Sequence, residues 1–131
     1  MSYVFDASTI FRAIKENRIE ILAGNFTLDL ARYELGNILC KECTVHKRIS
    51  SEEIEKLVGI VKDVLSLMEV LTINCHEEEI LRIAEDLEIT FYDASYIYHA
   101  KNKKLPLATE DTELSSKAKL QIKTLGFDDL I

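Results

Sequence analysis

Four acidic residues, Asp6, Glu34, Asp93 and Asp111, stand where a folded chain would ordinarily carry an apolar residue or a plain turn. Asp6 ends the apolar run Tyr3-Val4-Phe5, and Asp111 follows Leu105-Pro106-Leu107-Ala108-Thr109. Glu34 lies inside one helical pattern and Asp93 opens another. Gathered carboxylates repel one another and resist ionising together, so a divalent cation such as Mg²⁺ or Mn²⁺ is the usual reason to collect them. The chemistry that suits such a group is metal-assisted hydrolysis.

The elements that must position these acids alternate between strand and helix. Strands are predicted over Tyr3–Asp6, Asn25–Leu28, Glu69–Ile73, Leu105–Ala108 and Leu120–Thr124. Helices are predicted over Ser8–Asn17, Asp29–His46, Ser51–Ser66, His76–Leu87, Phe91–Asn102 and Thr112–Lys119, with Ser50 or Ser51 capping the third. This alternation implies an α/β protein with parallel pairing and helical crossovers. Open parallel sheets place their working sites beyond the carboxyl ends of the strands, where Asp6 and Asp111 stand.

On the second helix Ala31, Leu35, Ile38 and Val45 form one stripe, and Glu34 is about 40° from Ile38. Asp93, Ile97 and Ala100 follow i, i+4, i+7 spacing, which puts this acid on the buried stripe of its helix. An unpaired charge there costs several kcal/mol, of order 3–5, unless an Arg or a metal compensates it. Helix capping competes with this reading: Asp6 and Asp111 can each cap the following helix, and Thr90 with Asp93 resembles a capping box. Capping does not account for Glu34, more than a turn inside its helix, nor for the common rim on which all four acids fall.

The chain has 131 residues, 47% of them hydrophobic, with one Pro and four Gly, which suits one domain spanning residues 1–131. Its net charge of −7, from 16 Lys and Arg against 23 Asp and Glu, argues against coating nucleic acid through charge alone. No segment approaches the ~20 apolar residues of a membrane span, and no basic-then-apolar leader opens the sequence, so a cytoplasmic protein away from membranes is expected. Cys40, Cys43 and Cys75 make an odd set, read as reduced thiols. Cys40, Cys43 and His46 on one helix fan apart by about 60° per step, a poor zinc geometry, and small half-buried thiols are the expectation.

Four short pieces carry a family resemblance: Val4-Phe5-Asp6-Ala7-Ser8, Tyr33-Glu34-Leu35-Gly36-Asn37, Tyr92-Asp93-Ala94-Ser95-Tyr96, and Leu107-Ala108-Thr109-Glu110-Asp111-Thr112-Glu113-Leu114. In their order and spacing they resemble the PIN domain, and the compact size resembles the VapC toxins of VapBC toxin–antitoxin systems. The resemblance implies a three-layer α/β/α sandwich with a central, mainly parallel sheet and a metal-dependent endoribonuclease using Mg²⁺ or Mn²⁺. It implies that Asp6, Glu34, Asp93 and Asp111 are the acidic quartet, with Ser8, Thr109 and Asn37 in support and Glu110 or Glu113 as additional acids. It also implies an RNA substrate, a homodimer and a cognate VapB antitoxin.

Several features have simpler readings. Glu77-Glu78-Glu79 and Lys101-Asn102-Lys103-Lys104 complement helix dipoles, although the basic end could touch a phosphate backbone. Tyr92, Tyr96 and Tyr98 are read as helix packing, with Tyr96, off the Asp93 stripe, as the best candidate for base stacking. The Ser51 helix carries Ile54, Leu57, Val58, Val61, Val64, Leu65 and Met68, an apolar face broad enough to suggest a partner. The competing functions are a housekeeping PIN endonuclease of RNA maturation or decay, a noncatalytic PIN-like binding module, and a phosphoacceptor receiver domain. A receiver needs both an acceptor Asp ending a central strand and a Lys ending a later one, and that pair of placements is missing.

Overall fold

A computed structural model of the chain describes residues 2–130. Five strands, β1 (Val4–Phe5), β2 (Phe26–Leu28), β3 (Glu69–Leu71), β4 (Leu107–Ala108) and β5 (Thr124–Leu125), form one sheet in the order β3-β2-β1-β4-β5. Every pair is parallel, with Val4 opposite both Phe26 and Leu107, and Leu107 opposite Thr124. Six helices make the crossovers: α1 (Ala7–Lys15), α2 (Leu30–Thr44), α3 (Ser51–Leu67), α4 (Glu77–Leu87), α5 (Phe91–Lys103) and α6 (Thr112–Ala118). Short 3₁₀ turns occupy Ile19–Ile21 and Phe127–Asp129.

The strand alternation explains the layers. Successive side chains of a strand point to opposite faces, so Phe5 and Ala108 enter one core while Val4 and Leu107 enter the other. The first core is filled from α1, α2 and α3 by Ile10, Leu35, Val64 and Leu65, the second from α4, α5 and α6 by Ile80, Ile97 and Leu114. This is the expected three-layer α/β/α sandwich around a parallel sheet.

Four expectations change in detail. The last strand is not Leu120–Thr124: Gln121 and Ile122 both donate to the carbonyl of Ala118, so these residues first close the end of α6, leaving Leu120 exposed, and pairing begins at Thr124. Val45 is exposed rather than part of the α2 stripe, because it lies past the last residue of the helix. The apolar face of α3 is mostly consumed inside the molecule, with Val61, Val64, Leu65 and Met68 buried, Ile54 and Leu57 packed against them, and only Val58 of that set exposed. Ser50 caps α3 in a full capping box with Glu53. Cys40 and Cys75 are exposed rather than half-buried, and Cys43 is intermediate.

Candidate active site

β1 is the middle strand of the sheet, and its backbone hydrogen bonding carries one residue beyond it, Asp6 N–H donating to the carbonyl of Ala108 at 3.1 Å. The Asp6 side chain then turns back over the start of α1 as its N-cap. Its Oδ1 accepts from the Thr9 amide at 3.0 Å and from the Ser8 hydroxyl at 2.7 Å, and its Oδ2 accepts from the Thr109 hydroxyl. The two hydroxyls also accept: Ser8 Oγ from the Glu110 amide at 3.1 Å, and Thr109 Oγ1 from the Asp111 amide at 3.0 Å. Ser8 and Thr109 therefore lace the end of β1 to the end of β4, and each fixes Asp6 while fixing the loop that carries Asp111.

The other acids arrive on helices. Asp111 caps α6, its Oδ1 accepting from the amides of Glu113 at 3.0 Å and Leu114 at 3.1 Å. Asp93 lies in the first turn of α5, and its amide donates to Thr90 Oγ1 at 3.1 Å, half of the expected capping box. Glu34 comes in from α2, where Tyr96 of α5 donates its hydroxyl to Glu34 Oε1 at 2.6 Å. Asp6, Glu34, Asp93 and Asp111 line a single cavity of about 220 Å³ together with Ser8, Asn37, Ile38 and Tyr96. A second cavity, of about 340 Å³, shares Asp93 and Asp111 with the first and continues past Thr90 to Lys117.

Burial and mutual repulsion govern the charge of the site. Burial pushes the Asp6 carboxyl above the usual carboxylate range, against the lowering effect of the Thr109, Ser8 and Thr9 hydrogen bonds. Glu34 is raised first by burial and further by Asp6 and Asp93, with the Tyr96 hydrogen bond opposing. Asp93 is raised by burial, then by Asp111 and Asp6. Among the described residues no Lys or Arg forms a salt bridge with any of the four.

The donor set is all oxygen and uncompensated, which fits a hard divalent cation. Among the described residues no three His, Cys, Asp or Glu are drawn into a close ligand cluster. The acids instead ring the cavity.

All four acids of the sequence reading thus meet in one place, with Ser8 and Thr109 beneath Asp6 and Asn37 on the cavity wall. Glu110 does not join them. Its carboxylate is held by Arg12 of α1 and accepts from the Phe127 amide at 2.9 Å, outside the cavity lining. Glu113 is exposed and lines only the second cavity. Tyr96 packs as expected, 1% exposed within the second core, and its hydroxyl also braces an acid of the site. Its place three residues after Asp93, on the same helical turn, is the signal that could have found it.

A parallel βα sandwich with an acid-ringed cavity at the ends of its central strands is the architecture of a PIN domain. A family model described as the PIN domain matches residues 1–120, and the chain belongs to this family. It is 35% identical over 129 residues to a protein named Exonuclease VapC9 from Pyrobaculum aerophilum, covering 95% of this chain and 93% of that protein. It also superposes on the crystal structure of PAE2754 from the same organism with a TM-score of 0.82 at 31% identity, covering 99% of this chain and 92% of the other.

Proposed function

We propose that this chain is a divalent-metal-dependent ribonuclease, a single PIN-like domain acting as the VapC-type toxin of a toxin–antitoxin pair in the cytoplasm. The observation that carries the reading is the convergence of four carboxylates from four separate elements on one cavity, with no cationic side chain among the described residues bridged to them. Asp6 and Asp93 are the principal ligands in this reading, with Glu34 and Asp111 binding through water or a second ion. A Mg²⁺ or Mn²⁺ ion held there would activate water and neutralise charge on the scissile phosphate. The chain's own residues supply orientation: Ser8, Thr109 and the Thr9 amide fix Asp6, Tyr96 fixes Glu34, and the helix starts fix Asp93 and Asp111. Homodimerisation and a VapB-type antitoxin belong to the same proposal. No described helix is long and apolar enough to cross a membrane.

The relative's name favours a second reading of the cleavage mode, because VapC9 is called an exonuclease whereas the motif resemblance implies internal cutting. Circular and linear single-stranded RNAs, incubated with the purified protein in EDTA, Mg²⁺ or Mn²⁺, separate the two. Cleavage of both forms that requires metal and disappears in Asp93→Asn supports an endonuclease, and cleavage of the linear form alone supports an exonuclease. Metal-independent cleavage, or cleavage that survives in Asp93→Asn, would refute the assigned site.

A further inference from the structure

Of the ten aromatic side chains in the sequence, eight are buried or half-buried, and the two that are exposed adjoin the site acids. Tyr33, 74% exposed, immediately precedes Glu34, and Tyr92, 61% exposed, immediately precedes Asp93. An exposed ring offers a flat face on which another ring can stack.

Tyr92 lines a separate notch of about 250 Å³, walled by Leu28, Leu30, Leu71, Ile73 and Phe91, where the starts of α2 and α5 meet beyond the ends of β2 and β3. The notch and the carboxylate cavity are separate but are lined by neighbouring residues of both helices. On α2, Leu30 lines the notch, Tyr33 lies one turn on, and Asn37, a further turn along, lines the cavity. On α5, Tyr92 and Ser95 line the notch while their neighbours Asp93 and Tyr96 line the cavity.

Resting on the ribonuclease reading, we propose that this notch, with Tyr92 and Tyr33, is a stacking subsite for an unpaired nucleobase next to the phosphate that enters the carboxylate cavity. The charge balance favours a base as occupant. At −7 overall the chain has little electrostatic hold on a phosphate backbone, and Asp29 is the charged residue of the notch itself. Stacking on an aromatic ring supplies affinity that neither depends on salt nor requires a positive groove, and every base has a face that can stack. The subsite therefore takes single-stranded RNA, since a paired base has no free face to offer.

The test uses the full chain and short single-stranded RNAs carrying 2-aminopurine, with Ca²⁺ for binding and Mn²⁺ for cleavage. Tyr92→Leu should weaken binding and raise KM about tenfold with kcat within about twofold, Tyr92→Phe should restore both, and Tyr33→Leu should give a smaller loss. An RNA lacking the base beside the scissile bond should bind wild type and Tyr92→Leu equally. Quenching of 2-aminopurine by wild type but not by Tyr92→Leu marks the stack directly. Equal KM values in wild type and Tyr92→Leu would overturn the subsite while leaving the nuclease reading intact. Quenched binding without cleavage in any metal would support the subsite and refute the nuclease. No binding of any RNA by wild type would overturn both. Light scattering of each variant completes the test: a change of assembly mass in Tyr92→Leu would assign the notch to a second copy of the chain and overturn the base subsite.

Discussion

The Tyr96 hydroxyl stands 2.6 Å from Glu34 Oε1, a single hydrogen bond that ties α5 to α2 across 62 residues of chain and braces one site acid from beneath. The ring of Tyr96 is buried, so the hydroxyl has little choice of partner, and Glu34 pushes its ionisation still further out of reach. It acts on Glu34 as a fixed donor. Tyr96→Phe keeps the packing and removes the donor, so the fold should survive and Glu34 should rise further above the usual carboxylate range. A lost partner of this kind costs about tenfold or more in metal affinity. Titrating cleavage with Mn²⁺ should show that increase in the concentration for half-maximal activity, and an unchanged titration would remove Tyr96 from the site.

The Arg12–Glu110 pair gives a contrasting prediction. Arg12 also reaches Asp128 at 3.1 Å and lies over the Phe127 ring at 4.9 Å, so Glu110 belongs to a clamp between α1 and the C-terminal 3₁₀ turn. Its neighbour Asp111 lines the cavity. Glu110→Gln should therefore lower the melting temperature slightly and leave the Mn²⁺ titration unchanged, whereas Asp111→Asn should weaken metal affinity by about tenfold or more. Parallel melts and cleavage assays on the two variants check the split. A metal defect in Glu110→Gln would place that acid in the site after all.

How far the sequence carries is plain from these two residues. Asp6 and Asp111 were legible because the end of an apolar strand followed by a helix start is a local pattern, and Glu34 and Asp93 because helical periodicity fixes which face they take. Glu110 was ambiguous: it sits one residue from Asp111, and its real partner lies 98 residues away on α1. Tyr92 was expected to pack as Tyr96 does, and it is exposed instead. Four positions apart on α5, Tyr96 is buried and bonded to Glu34 of α2 while Tyr92 is exposed, a tertiary difference that no local pattern contains. The final strand failed differently: Leu120 and Ile122 alternate as a strand would, but the hydrogen bonds that finish α6 take those residues first.

His99 predicts a pH dependence away from the site. It is 6% exposed, its Nε2 has no hydrogen-bond partner among the described residues, and burial together with the nearby His76 and Lys103 holds its pKa below the ordinary 6.5, while Tyr98 packs edge-on against it. The folded state therefore prefers neutral imidazole, and the unfolded chain takes up the proton first as pH falls. The contribution of His99 to stability should be fully present above pH 6.5 and decline below it, by at most about 1.4 kcal/mol per pH unit for one proton. Urea unfolding of wild type and His99→Phe at pH 7.5 and pH 5.5 isolates the decline. His99→Phe should flatten that part of the curve, and an unchanged curve would assign the dependence to other groups.

The crowded acids themselves carry the most demanding prediction, because their effect on stability has the opposite sign from the usual surface carboxylate. Asp93 and Glu34 sit above their ordinary ranges, so in the fold their charged forms are the disfavoured ones. Such groups weaken the native state at neutral pH, and the weakening is relieved as pH falls through the raised value. Asp93→Asn should therefore melt higher than wild type at pH 7 in EDTA, and the advantage should fade as the pH falls and wild-type Asp93 takes up its own proton. Mn²⁺ should reverse the order at neutral pH: an ion at ten times its dissociation constant adds about 1.4 kcal/mol to the wild type, and Asn at position 93 forfeits most of that gain. Thermal melts of both proteins with and without metal at two pH values decide it. A wild type that Mn²⁺ fails to stabilise, beside an Asn variant no more stable than its parent, would mean that these carboxylates are neither strained nor gathered around a cation.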